Sequence, residues 1–318
     1  MVMEGRMFRK MEYVYAIYTE QSFTKAAEKL YISQPCLSAA VRKIEDEIGM
    51  PLFERRHSAL ALTEVGEKYL KAAEQIRCIT RDFLSEVNDM HNLVSGSLHI
   101  GVPNYIMSYI IPGIVSEYTK LYPGIQITLH EANSVTLWEM LKNEQVDIVV
   151  DSFDEEGSRY DYWPLTEEEI YLAVPAHSPS AQGLEDYRIT PEAFYTNTVK
   201  SENVRSVSLE HFRDEKFILL KNGNSMYKHA LQAFEECGFE PQISFRLDQL
   251  STSYAMTSSG NGVCFVTDTM FRYHRFTDNV YLYKIRGTGK RKLCIAKKKS
   301  RYGTVALLRF VELFQKSI

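Results

Sequence analysis

Ser22-Phe23-Thr24-Lys25-Ala26-Ala27-Glu28-Lys29-Leu30, Tyr31-Ile32, Ser33-Gln34-Pro35-Cys36-Leu37-Ser38-Ala39-Ala40-Val41-Arg42-Lys43-Ile44-Glu45 reads as two short helices joined by a tight turn. Ser22 and Ser33 stand where a hydroxyl accepts from the unpaired N–H groups that open a helix. Pro35 falls in the first turn of the second helix, where a missing N–H costs nothing. Ala26, Ala27 and Leu30 give the first helix a small apolar inner face. Leu37, Val41, Ile44 and Ile48 recur at spacings of three and four, one face of the second. Its opposite face carries Gln34, Pro35, Ser38 and Arg42. A short helix with an apolar back and a front of donors and one cation fits a DNA major groove. An amphipathic hairpin in an ordinary core would share the apolar spacing.

Working outward, Phe8 to Thr19 reads as a bracing helix with Phe8, Met11, Val14, Tyr15 and Tyr18 inward. After the second helix Gly49 ends the turn. A small hairpin follows, from Leu52-Phe53 to Ala59-Leu60-Ala61-Leu62, with Arg55 and Arg56 at its tip. Thr63 then caps a long helix to about Asn92. In it Tyr69, Ala73, Ile76, Thr80, Phe83, Val87 and Met90 form a heptad seam, and Leu70, Ile79 and Leu84 widen it.

These spacings, Ser22-Phe23-Thr24-x-Ala26-Ala27-x-x-Leu30-x-x-Ser33-Gln34-Pro35-x-Leu37-Ser38, then Ile44-Glu45-x-Glu47-Ile48-Gly49-x-x-Leu52-Phe53-Glu54-Arg55 and Leu62-Thr63-x-x-Gly66, resemble the winged helix-turn-helix of the LysR-type transcriptional regulators. The resemblance implies a DNA-binding head at 1–62 and a linker helix at 63–92 that pairs protomers. Paired heads would meet double-stranded DNA at an interrupted inverted repeat. It implies that Gln34, Pro35 and Ser38 approach base edges and that Arg42 reaches a base or a phosphate. Ser22, Thr24, Lys25 and Ser33 would hold the backbone. Arg55 or Arg56 would enter the narrow minor groove, where negative potential concentrates. Family members usually carry Gly before the opening serine; Gln21 stands there, so the turn needs either strained backbone or a different cap. Ala39 and Ala40 replace polar residues common in relatives, so DNA shape and thymine methyls carry more of the specificity.

The chain of 318 residues is 45% hydrophobic and 25% charged, an ordinary composition with length for two or three cores. No apolar run is long enough to cross a bilayer, and the N-terminus lacks an export signal, so the expectation is a cytoplasmic protein. Five scattered cysteines and eight isolated histidines offer no metal spacing, and no cofactor is called for. Cys36, outward or sideways on the second helix, reads as an inert small residue. The net charge of −4 does not point to nucleic acid. Nine cations precede residue 57 against eight anions, so DNA affinity depends on where they sit.

From Leu98 strands alternate with helices, the pattern of a largely parallel sheet covered on its faces. Strands are expected at 98–102, 125–129 and 147–150, a crossing near 169–175, further strands at 216–220, 242–246 and 262–266, and a return at 293–296. Helices are expected over 106–121, 134–143, 226–237, 249–258 and 304–314. Two interrupted α/β lobes resemble the periplasmic-binding-protein-like effector domain of the same family, over 97–318. The first lobe would hold about 97–168 and 276–318, the second about 169–275. The stretch 181–205 is longer than this connection usually is.

Ligands of open α/β sheets bind beyond strand C-termini, where helix N-termini offer free N–H groups. Asn104, Ser134, Asn224, Ser225 and Thr267 occupy such places and are the candidate effector contacts. Asn104 departs from the hydroxyl that relatives usually carry, and Glu131 and Asp151 would repel an anion, so a polar or cationic effector is open. Lys290-Arg291-Lys292 and Lys297-Lys298-Lys299 read as a solvated sheet edge rather than a second nucleic-acid patch. No nucleophile elbow or phosphate loop is present. The reading is therefore a transcriptional regulator governed by a small-molecule effector, a dimer or tetramer, and through the resemblance a partner of RNA polymerase. It is read as no enzyme. The rival is a solute-binding module that dimerises through its N-terminal helices without binding DNA.

Overall fold

The computed structural model describes residues 10–56, 59–90, 96–152, 159–199, 203–276 and 279–318. The chain divides into two compact units, Met1–Leu84 and Ser85–Ile318.

The first unit opens with α1 (Met11–Glu20), α2 (Phe23–Lys29) and α3 (Gln34–Ile48). Ala26 and Ala27 let α2 approach closely enough to bury Ile17, Leu37 and Val41 between the three helices. Burying Leu37 stabilises by roughly 2 kcal/mol. Ile17 takes the inward place expected of Tyr18, which is exposed; one residue of helical phase separates them. Phe8 lies outside the described residues. Gln21 adopts the left-handed conformation (φ 50°, ψ 25°), so the turn takes the strained backbone.

The hairpin β1 (Phe53–Arg56) and β2 (Ala59–Leu62) pairs antiparallel with Phe53 opposite Leu62. Thr63 then caps α4 (Glu64–Met90), its Oγ accepting from Gly66 N at 3.0 Å. Gly66 must be glycine: a Cβ there would stand 2.1 Å from the Leu52 carbonyl oxygen. Along α4 the expected seam divides. Tyr69 and Ala73 are spent within the first unit, packed with Val14, Ile44 and Leu52. Ile79, Phe83 and Leu84 remain 66%, 62% and 55% exposed.

In the second unit β3 (Gly96–Val102), α5 (Asn104–Tyr109), α6 (Ile111–Leu121), β4 (Ile125–Glu131), α7 (Ser134–Lys142), β5 (Ile148–Ser152) and β6 (Tyr160–Pro175) follow in turn. Pro112, with no N–H to donate, makes two helices where one was expected, joined at Ile110. The chain continues through β7 (Arg188–Ile189), α8 (Pro191–Tyr195), β8 (Ser206–Val207), β9 (Lys216–Leu220), α9 (Ser225–Cys237), β10 (Gln242–Leu247), α10 (Leu250–Ser258), β11 (Val263–Thr267) and α11 (Asp268–Arg272). It ends with β12 (Val280–Ile285), β13 (Lys290–Lys298) and α12 (Val305–Ser317).

The strands follow the order β10-β9-β11-β6-β13-β5-β3-β4, with β12 also on β6. The sixteen-residue β6 belongs to both lobes: its first half pairs β13, its second half pairs β11 and β12. Two boundaries differ from expectation. The crossing strand begins at Tyr160 rather than near 169, and the second lobe keeps β12, so the return comes at Lys290 rather than near 276. Part of the 181–205 stretch is explained: β7 pairs with β12, and Ile189 and Phe194 are buried.

The basic run proves no free edge. Lys290, Arg291 and Lys292 stand opposite Glu169, Glu168 and Glu167 in the β13–β6 ladder. Opposite charges facing across a ladder stabilise the pairing. Lys297 meets Asp161 at 3.0 Å and Lys298 meets Glu144 at 2.5 Å.

Candidate functional site

On the first unit the polar front of α3 is open to solvent. Ser33, Gln34, Pro35 and Arg42 are exposed, as are Thr24 and Lys25, with Ser22 and Ser38 half-buried. Ser22 Oγ accepts from Lys25 N at 3.3 Å and Ser33 Oγ from Cys36 N at 3.4 Å, so both serines cap their helices. Gln34 Nε2 donates to Ser38 Oγ at 2.8 Å, which holds two base-facing candidates in one fixed arrangement. Glu45 Oε1 accepts from Leu52 N at 2.7 Å and ties α3 to the hairpin. Ala40 is buried, so it fills the core and does not stand at the groove; Ala39 is exposed. Arg55 and Arg56 lie opposite Leu60 and Ala59 in the hairpin, and their side chains lie outside the described residues.

Between the lobes of the second unit lies a cleft of about 270 Å³. Asn104, Ser134, Asn224 and Ser225 all line it, contributed by the N-termini of α5, α7 and α9. A neighbouring chamber of about 490 Å³ shares Ser134, Asn224 and Ser225 and is walled by Trp138, Tyr160 and Tyr162. Thr267 lines neither. It is fully buried at the end of β11, because a strand continuous with the core leaves its last side chain inside.

The floor is a buried polar network. Arg291 Nη2 donates to Glu168 Oε2 at 2.5 Å and to the Tyr105 hydroxyl at 3.1 Å; Nη1 donates to Ser225 Oγ at 2.8 Å. The Tyr105 hydroxyl donates to Glu168 Oε1 at 3.0 Å. Burial first, and then the Glu168 charge, hold the Tyr105 phenol protonated. Asp151 is 1% exposed, and burial pushes its carboxyl up to about 6 against the Ser134 hydrogen bond and the Arg291 charge. Its Oδ1 accepts from Ser152 N at 2.7 Å, while Oδ2 has no hydrogen-bond partner among the described residues.

The rims touch. Ser251 Oγ donates to Asn104 Oδ1, Gln249 Nε2 to Glu131 Oε1 at 3.1 Å, Val135 N to Gly223 O at 3.1 Å, and Ser152 Oγ to Ser225 Oγ at 3.0 Å. Each bond joins a residue of one lobe to a residue of the other. A second, buried acid outside the cleft, Asp268, accepts from Glu169 N and pairs with Arg272 at 2.7 Å.

Arg291, Glu168 and the aromatic wall were not among the sequence candidates. Arg291 shares its strand face with Leu293 and Ile295, and Glu168 with Ile170 and Leu172, so strict alternation was the available signal. Nothing in local pattern joins Trp138 to Tyr160.

A winged helix-turn-helix with an open polar recognition face, followed by a two-lobed α/β domain around a cleft, defines a DNA-binding regulator that carries its own effector-binding domain. The lysR-family bacterial regulatory helix-turn-helix model matches residues 8–67, and the LysR substrate-binding-domain model matches 91–196 and 200–318. The HTH-type transcriptional regulator YcgK of Bacillus subtilis is 31% identical over 97% of this chain and 94% of its own length. The transcriptional dual regulator OxyR of Escherichia coli is 27% identical over 80% of this chain and 77% of its own. The fold is also that of full-length OxyR of Pseudomonas aeruginosa (22% identity, 98% of this chain, 93% of that one, TM-score 0.67). CbnR in complex with its target DNA has it too (19% identity, 98% and 99%, TM-score 0.67). The chain belongs to the LysR family of transcriptional regulators, and it is a DNA-binding protein with an effector domain. Among the described residues no helix is long and apolar enough to cross a membrane.

Proposed function

We propose that this regulator binds an interrupted inverted repeat as a dimer or tetramer and responds to a small molecule held between its two lobes. The observation that carries the reading is the pairing of an open recognition face with a cleft whose floor is buried, charged and hydrogen-bonded while its rims are bridged by side chains. Gln34, Pro35, Ser38 and Arg42 read base edges or adjacent phosphates. Ser22, Thr24, Lys25 and Ser33 hold the backbone, and Arg55 or Arg56 enters the minor groove. The exposed Ile79, Phe83 and Leu84 on α4 support pairing of protomers along that helix. Asn104, Ser134, Asn224 and Ser225 contact the effector. Rim contacts that favour one lobe arrangement let the ligand shift the equilibrium by its differential affinity. The output is DNA geometry or contact with RNA polymerase. The chain acts by binding, in the cytoplasm, with no catalytic step.

Relatives named for hydrogen peroxide raise a redox reading. A sensing thiol must be accessible and largely thiolate. Cys78, Cys264 and Cys294 are buried, and burial pushes the Cys264 thiol up to about 12, while Cys237 is half-buried and Cys36 is exposed on α3 of the first unit. The three buried thiols are poor targets for peroxide, and Cys36 and Cys237 are the two that a redox reading would need.

Selection from a pool of random duplexes at moderate salt tests the reading. An enriched inverted repeat is expected, and its loss with Arg55→Ala and Arg56→Ala would come with a flatter salt dependence. Failure of both the full chain and residues 1–92 to enrich any sequence, with the protein folded, removes it. Peroxide should leave the operator affinity of the Cys36→Ser protein unchanged.

A further inference from the structure

We infer that the effector carries a protonated amine, seated against Asp151 and Glu131, on an apolar or aromatic body that lies against Trp138, Tyr160 and Tyr162. This deepens the proposal of an interlobe effector and rests on it.

The charges lining the cleft decide the class. They are Glu131, Asp151 and Asp248 against Arg291 alone. Arg291 is largely committed: its two terminal nitrogens are taken by Glu168, Tyr105 and Ser225, its charge is paired with that of Glu168, and only the buried Nε lacks a hydrogen-bond partner among the described residues. Asp248 is answered by Lys221 at 2.8 Å. Asp151 is answered differently. Its Oδ1 is occupied, but Oδ2, on a side chain 1% exposed, lacks a hydrogen-bond partner among the described residues. A buried carboxylate oxygen without a donor is costly, and a ligand donor at that oxygen removes the cost. Glu131, on the same cleft wall, has its Oε1 bound by Asn104 and Gln249, each at 3.1 Å. An anion placed here meets two carboxylates, and the one cation lining the cleft, Arg291, is already paired with Glu168. A primary ammonium brings three donors.

The body follows from the second chamber, which opens off the same residues. Trp138 and Tyr160 pack edge to face with ring centroids 5.0 Å apart, and Tyr162 continues the wall. Such a surface accepts an apolar chain or a ring. Lys228 also lines this chamber, so a carboxylate on the ligand, if present, belongs at the end remote from the amine.

The test is thermal shift and calorimetry on the full chain with three matched sets. Phenethylamine, tryptamine and hexylamine are the amines; 4-(2-aminoethyl)benzoate, 5-carboxytryptamine and 7-aminoheptanoate the amino acids with a remote carboxylate; phenylpropanoate, indolepropanoate and heptanoate the acids. At least one amine-bearing probe is expected to stabilise the protein, with its acid counterpart inactive. Asp151→Asn, a near-isosteric change, should weaken that binding by about thirty-fold or more, the effect of removing one partner of a buried charge pair. Trp138→Ala should weaken all binders. Acids that bind through Trp138 while amines do not would overturn the amine and leave the cleft standing. Amine binding unaltered in Asp151→Asn would overturn the seat of the amine. Silence of all three sets on a protein with a sharp melting transition would overturn the ligand class.

Discussion

The recognition face and the cleft solve opposite problems with the same residue types. On α3 the polar groups are exposed, and they are satisfied locally: Gln34 by Ser38, Ser33 by Cys36. In the cleft they are buried, and their partners come from across the chain: Arg291 is met by Glu168, Tyr105 and Ser225, while Asp151 Oδ2 has none among the described residues. An exposed polar face has water to fall back on until DNA displaces it. A buried one has no such reserve, so removing one member leaves its partner stranded. The first arrangement tolerates change and tunes affinity. The second ties binding to folding.

Four substitutions would break or sharpen this contrast. The largest effect should come from the core beneath the face. Leu37→Ala leaves a cavity under α3 and should cost about 3–4 kcal/mol. Operator binding should vanish while the melting transition of residues 85–318 is unmoved; parallel loss of both would deny the two units their independence. Glu168→Gln comes next. It strands the buried Arg291 charge at a cost of about 3 kcal/mol and should lower the melting temperature of the larger unit by roughly 6–12 °C. Replacing Arg291 by Met in the same chain should restore part of that loss. A Glu168→Gln protein that melts normally would mean the network is not worth what its burial implies.

Third is Asp151→Asn, where the sign can be worked out. The folded carboxyl titrates near 6, above its ordinary value, because burial disfavours its charge. The folded state therefore holds that proton more tightly than the unfolded chain. The stability this brings is full below about pH 4 and is lost as pH rises through 6. Removing the charge should stabilise the ligand-free protein at pH 7.5 by up to about 3 kcal/mol. The gain should shrink toward pH 5; a gain independent of pH would place its origin elsewhere. The smallest effect is Gln21→Gly. It relieves the left-handed backbone but forfeits the exposed bond from Gln21 Nε2 to Tyr18 O. A net stabilisation of about 0.5 kcal/mol should appear in denaturant titration of the first unit.

The head was legible because its determinants are neighbours. Ser22, Ser33, Leu37 and Val41 lie within one turn of the residues they cap or pack, and spacing alone carries that information. Even there, phase misled where a face has no sharp edge: Tyr18 was placed inward, and Ala40 at the groove. The cleft was legible only at its rims, where helix N-termini follow strands. Four of the five positions expected there line it. Thr267 failed because the end of a buried strand looks, in sequence, like the end of any other. The floor was hidden for another reason. Arg291 and Glu168 are 123 residues apart. One lies in a basic run and the other in an acidic one, and each alone suggests a solvated edge. What turns both inward is their shared ladder.

That ladder has a mechanical consequence. Glu167-Glu168-Glu169 and Lys290-Arg291-Lys292 lie side by side where two strands pass from lobe to lobe. A pair of separate tethers would let the lobes swing in any direction. A zipped ribbon resists bending in its own plane and yields chiefly to twist. The ribbon therefore limits the ways the lobes can move more than separate tethers would. Arg291 stands in that ribbon and on the floor of the cleft at once, so the joint and the floor share a side chain.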